Sequence, residues 1–153
     1  MKNRELFLKD PLSVTLRNEG VSSNNNDDAA TLEYELSTFV CDGEYQRGLA
    51  KILQGFLDRI GKEQTGAWVS GFYGSGKSHL VKVLRFLFID HKLPTGVSAR
   101  QLSSLPQDIR DLLTELSTRG VQFGGLHSAG GTLKAGAGDV RLRVLGIIFK
   151  SCL

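Results

Sequence analysis

The chain has 153 residues, 41% of them apolar and 23% charged, with a formal net charge of +3. That apolar fraction supports one buried core and excludes an intrinsically disordered chain, and the small charge excess, scattered along the sequence, is too diffuse to define a nucleic-acid groove. No apolar run reaches the length of a membrane span, no secretory leader or lipidation pattern is present, and Cys41 and Cys152 stand in no metal-ligand spacing, so two buried free thiols in a reducing cytoplasm are expected.

Leu12-Ser13-Val14-Thr15-Leu16 alternates with the period of a strand, and the polar run from Ser22 to Asp28 reads as a linker. Asp28 can then cap a helix that carries Leu32, Leu36, Phe39 and Val40 on one face, until Asp42-Gly43 breaks it. A second helix follows. Leu49, Ile52, Leu53, Phe56, Leu57 and Ile60 keep one apolar stripe, and Gly61 stands where a left-handed residue ends a helix. Residues 1–61 thus form an N-terminal segment ahead of a core at 62–153.

Ala67-Trp68-Val69-Ser70 is a short β-prone run, and it leads into Gly71-Phe72-Tyr73-Gly74-Ser75-Gly76-Lys77-Ser78. This octapeptide is a full match to the nucleotide phosphate-loop pattern of two spaced glycines, a lysine and a hydroxyl residue. Each residue type answers to the chemistry. Gly71, Gly74 and Gly76 permit backbone conformations closed to other residues, so that consecutive amides of the loop, Ser75 included, converge on a phosphate. Lys77 supplies a point charge for the β- and γ-phosphates of ATP, and Ser78 a hydroxyl for the bridging Mg²⁺. The helix that begins here adds its positive dipole end, and its apolar face runs through Leu80, Val81, Val83, Leu84, Leu87 and Phe88. His79 lies within reach of the phosphate mouth and joins the cofactor-binding candidates, although a helix-surface placement is the plainer reading. Lys82 and Arg85 share a helix face and read as solvated.

Pro94 stops this helix, Ser98 and Gln101 have capping-box spacing, and Ile109, Leu112, Leu113 and Leu116 mark another amphipathic helix that ends at Gly120. Val121-Gln122-Phe123 reads as a second strand. The glycine-rich stretch from Gly124 to Gly138, in which Lys134 is not followed by Ser or Thr, reads as a loop. Asp139 then caps a broadly apolar helix from Val140 to Leu153. Strand, phosphate loop, helix, strand and helix again is α/β alternation, with parallel strands joined by crossover helices and preceded by the N-terminal helical segment.

A hydrolysing phosphate-loop enzyme also needs an apolar strand that ends in an acid to hold Mg²⁺. Phe86-Leu87-Phe88-Ile89-Asp90 mimics one, but these residues continue the helix, which puts Asp90 at its far end. Asp139 has no strand before it. The chain therefore offers a phosphate site without a recognisable second acidic motif, which leaves hydrolysis by these residues open. It reads as the N-terminal piece of a longer protein, partial as a nucleotide-binding domain, whose last helix would need another copy or another protein against its apolar face.

The helix Leu32-Glu33-Tyr34-Glu35-Leu36-Ser37-Thr38-Phe39-Val40, followed by the block from Gly66 to Leu80, resembles the N-terminus of the large BREX phage-defence ATPases called BrxC and of their phage-growth-limitation relative PglY. The resemblance spans Leu32 to Phe88. It implies an AAA-like P-loop ATPase in a multi-component bacterial system that restricts phage, with other defence-system proteins as partners. Of the family's functional positions only Gly71, Gly74, Gly76, Lys77 and Ser78 transfer. Two further classes stay in play: another phosphate-loop enzyme such as a small-molecule kinase, and a non-catalytic interaction module with a vestigial nucleotide site. Nucleic acid stays among the candidate partners.

Overall fold

The structure, a computed structural model, describes residues 29–64, 66–133 and 138–152. The alternating run at Leu12 to Leu16, the linker to Asp28 and its capping role, Lys134, Leu153 and the side chain of Cys152 lie outside the described residues.

Six helices make up the described architecture: α1 (Ala29–Ser37), α2 (Gly43–Leu57), α3 (Lys77–Phe88), α4 (Ala99–Leu102), α5 (Gln107–Val121) and α6 (Val140–Cys152). Their apolar residues recur at three and four positions, so each presents one stripe to a common core. From α2 the stripe is Leu49, Leu53 and Leu57, from α5 Ile109, Leu113 and Leu116, and from α3 Leu80, Val83 and Leu87, all buried in one cluster with Leu32, Leu36 and Phe39. Val40, expected on the same face, is instead exposed, because α1 ends at Ser37 and the chain turns before it.

Helices α2 and α5 run parallel and in register. Near their N-termini the Gln46 amide donates to both carboxylate oxygens of Asp108 at 3.0 Å, and near their C-termini Arg119 Nη1 donates to the Leu57 carbonyl at 3.2 Å. Both contacts join residues 62 apart in sequence. With that pairing set, α3 and α4 pack in the span that returns the chain from the end of α2 to the start of α5.

The α/β sheet expected from the sequence does not form among the described residues. Helix takes 57% of them and β-type pairing 2%, the latter being one antiparallel bridge between Lys92 and Ser98 around a tight turn at Pro94. A strand is stabilised by the ladder it makes with a neighbouring strand, and among the described residues the two short β-prone runs pair neither with each other nor with another segment. Residues 66–70 take no regular structure and join no ladder among the described residues, with Trp68 92% exposed. At the other expected strand the helix simply continues: Val121 is its last residue and Gln122 to Gly124 form the turn that closes it. Propagating an existing helix adds a bond for each residue ordered, whereas a new strand adds none without a partner. Gly120, read as a helix end, is buried within α5, where Leu126 packs so close that a Cβ would sit 2.6 Å from its Cδ2.

Local signals elsewhere hold. Ser98 and Gln101 make the reciprocal capping box at the start of α4, and Asp139 accepts from the Arg141 amide at 2.9 Å as α6 begins. Cys41 is buried, and burial raises its thiol pKa, with Asp108 and Asp42 adding to the shift.

Candidate phosphate-binding site

The segment from Gly71 to Gly76 leads into α3, whose first residues are Lys77 and Ser78, and is shaped by two left-handed glycines. The Ser75 amide donates to the Phe72 carbonyl at 3.2 Å, which closes a turn through Tyr73 and Gly74, with Gly74 at φ +79°. Gly76, at φ +75°, is the N-cap of α3, and its carbonyl accepts the first helical bond from the Leu80 amide at 2.9 Å. No side chain caps this end. The amides of the first turn of α3 have no carbonyl a turn earlier to bond, so their partial positive charge is directed at the loop.

Lys77 folds back over the same turn. Its Nζ donates to the Phe72 carbonyl at 2.5 Å and to Ser75 Oγ at 3.3 Å. These neutral oxygens are weak partners for an ammonium compared with a phosphate, so an incoming polyphosphate would exchange for them and draw the charge to itself. Gly71 sits beneath: a Cβ there would lie 3.0 Å from Ser75 Oγ and 3.6 Å from the Lys77 stem. All five loop positions carried by the motif, together with Ser75, therefore lie within one short turn and one helix start. Ser78, in the first turn of α3, is half-buried.

His79 is displaced from the surface role that spacing suggests. Its ring packs on Phe39, just beyond the end of α1, at a centroid distance of 5.8 Å, and it is half-buried on α3. Burial lowers its pKa, opposed by the Glu35 carboxylate and assisted by the Lys82 ammonium. Lys82, expected on a solvated face, is instead the most deeply buried charged side chain described and forms an ion pair with Glu35 of α1.

The sequence also gives no sign of Tyr45. This residue of the first turn of α2 donates its hydroxyl to the Ser75 carbonyl, inside the phosphate loop. No periodicity or motif points to a contact across thirty residues. Asp90 lies where the sequence puts it, beyond the far end of α3, about 18 Å of helix rise from Lys77. There its backbone is left-handed at φ +48° and its carboxylate accepts from the Arg100 amide at 3.1 Å. Arg100 also donates to the Leu87 carbonyl at 2.7 Å and the Phe88 carbonyl at 3.0 Å, capping α3.

Phe72 and Tyr73, on the outer side of the loop, are 91% and 86% exposed. No group of three or more His, Cys, Asp or Glu side chains converges as a metal site among the described residues. No described helix is long and apolar enough to cross a membrane. No protein-family model matches the chain, and no solved structure matches it.

Proposed function

We propose that this chain binds Mg-ATP through Gly71, Gly74, Ser75, Gly76, Lys77 and Ser78, as the nucleotide-binding portion of an ATPase. The observation that carries the reading is the closure of a complete phosphate-loop motif over two left-handed glycines. That closure sets the lysine ammonium on the loop's own turn, next to a helix start with no side-chain cap, and helix starts favour anions. The charges support an anionic ligand: backbone amides and one ammonium are all donors, and they bond a polyphosphate more strongly than the neutral oxygens that Lys77 meets here. Ser78 would supply one oxygen to Mg²⁺, the remaining ligands being phosphate oxygens and water, as is usual for this ion.

The resemblance at Leu32 to Phe88 supports placing that ATPase in a bacterial phage-defence system of the BREX type, working in the cytoplasm with other defence proteins. Helix α6 supports a protein partner or a second copy: Leu142, Leu145 and Phe149 are exposed along it. Concentration-dependent light scattering reads that association, and a strictly monomeric chain at high concentration would count against the second copy.

Isothermal calorimetry with Mg-ATP tests the binding itself. The natural chain should release heat on binding, and Lys77→Ala should weaken affinity at least about tenfold, because it removes the one full charge from a site of neutral amides. Equal affinities, or no heat with the natural chain, would overturn the proposal.

A further inference from the structure

The Tyr45 hydroxyl meets the phosphate loop at a single peptide. It donates to the Ser75 carbonyl, and the same phenol lies against Gly76, where a Cβ would stand 2.5 Å from the hydroxyl and 3.5 Å from the ring carbon that bears it. Only a residue without a side chain leaves room for that approach. The tyrosine is itself well held: its ring packs on the core, and its neighbour Gln46 ties the start of α2 to Asp108 of α5.

The bonded carbonyl belongs to the Ser75–Gly76 peptide. In a trans peptide the C=O and N–H vectors are opposed, and no cis bond is present among the described residues. Holding the Ser75 carbonyl towards α2 therefore points the Gly76 amide to the opposite side of the loop. This peptide is one that can turn over. A flip changes φ of the following residue by about 180°, which would carry Gly76 from its observed +75° to a negative value that glycine adopts as readily. The loop thus has two accessible forms, one presenting an N–H and the other a C=O at the same point. A carbonyl facing a phosphate repels it.

We infer that Tyr45 is a positioning residue for the phosphate loop, selecting the orientation of the Ser75–Gly76 peptide in which the Gly76 N–H is available to an anionic ligand. Its effect on nucleotide rests on the binding proposal above. The orientation of the peptide does not.

Tyr45→Phe keeps the ring and its packing and removes only the donor. The experiment compares the natural chain with this variant by ¹⁵N-resolved NMR of the Gly76 amide without nucleotide, by thermal unfolding, and by calorimetry with Mg-ATP. The expected result is a shifted or exchange-broadened Gly76 amide, an unchanged unfolding midpoint, and affinity lowered by roughly tenfold, the scale of one hydrogen bond in an equilibrium. A Gly76 amide that keeps its position and width in Tyr45→Phe would overturn the inference, as would unchanged affinity in a chain that does bind. If the natural chain gives no heat with Mg-ATP, the binding proposal fails and the Gly76 amide alone decides the positioning role.

Discussion

Lys82 of α3 ends in an ion pair with Glu35 of α1, with the lysine side chain 1% exposed and the glutamate 20%. This pair fixes α1 against the helix that carries the phosphate loop, next to the contact between His79 and Phe39. The unequal burial makes the two partners unequal in cost. Removing the carboxylate leaves the more deeply buried charge, the ammonium, whereas removing the ammonium leaves a carboxylate whose side chain is one-fifth exposed. Glu35→Ala should therefore destabilise the chain by about 3 kcal/mol and Lys82→Met by roughly 1 kcal/mol, read from denaturant midpoints at constant slope. Equal losses would show that the pair is solvated.

The two left-handed glycines of the loop should respond differently to alanine. At Gly74 nothing lies within 4 Å of an added Cβ, so Gly74→Ala pays only the backbone cost of φ +79°, about 1–2 kcal/mol. At Gly76 the same backbone cost is joined by a collision with the Tyr45 hydroxyl. Gly76→Ala should be the more destabilising of the two, and its loss of Mg-ATP affinity the greater. Thermal unfolding and calorimetry on both variants check the order, and the reverse order would contradict the Tyr45 contact.

His79 predicts a pH dependence. Burial first, then the Lys82 charge, lowers its pKa from the ordinary value of 6.5, against the opposing pull of Glu35; Phe39 is its ring neighbour. The unfolded chain then takes up a proton at a higher pH than the folded chain does. Stability from this group is complete above pH 6.5 and falls as pH drops from 6.5 to the lowered folded value, below which the loss is constant. Urea titrations of the natural chain and His79→Gln at pH 7.5 and 5.5 measure this. The variant should lose less stability than the natural chain over that interval, and parallel losses would remove His79 as the cause.

Sequence by itself determined those features whose hydrogen bonds close within a few residues. The phosphate-loop motif, the start of α3 at Lys77, the capping box at Ser98 and Gln101, the Asp139 cap and the displacement of Asp90 to a helix end all belong to this class. Side-chain spacing or backbone geometry over one or two turns decides them, and that information is local. The apolar stripes of α2, α3 and α5 were legible for the same reason, except that Val81, expected on the α3 stripe, is exposed.

Tertiary structure alone decided the rest. Residues 67–70 and 121–123 are β-prone, yet a strand exists only where a second strand accepts its bonds. No such pairing occurs among the described residues, and Val121 completes a helix instead. Lys82 looks like a surface residue by type and becomes buried only because α1 brings Glu35 to it. Tyr45 is an unremarkable residue of a first helical turn until the parallel packing of α2 on α5 and the docking of α3 carry its hydroxyl to Ser75. Each of these depends on a partner distant in sequence, and the spacing of residues along the chain holds no record of which distant group will arrive.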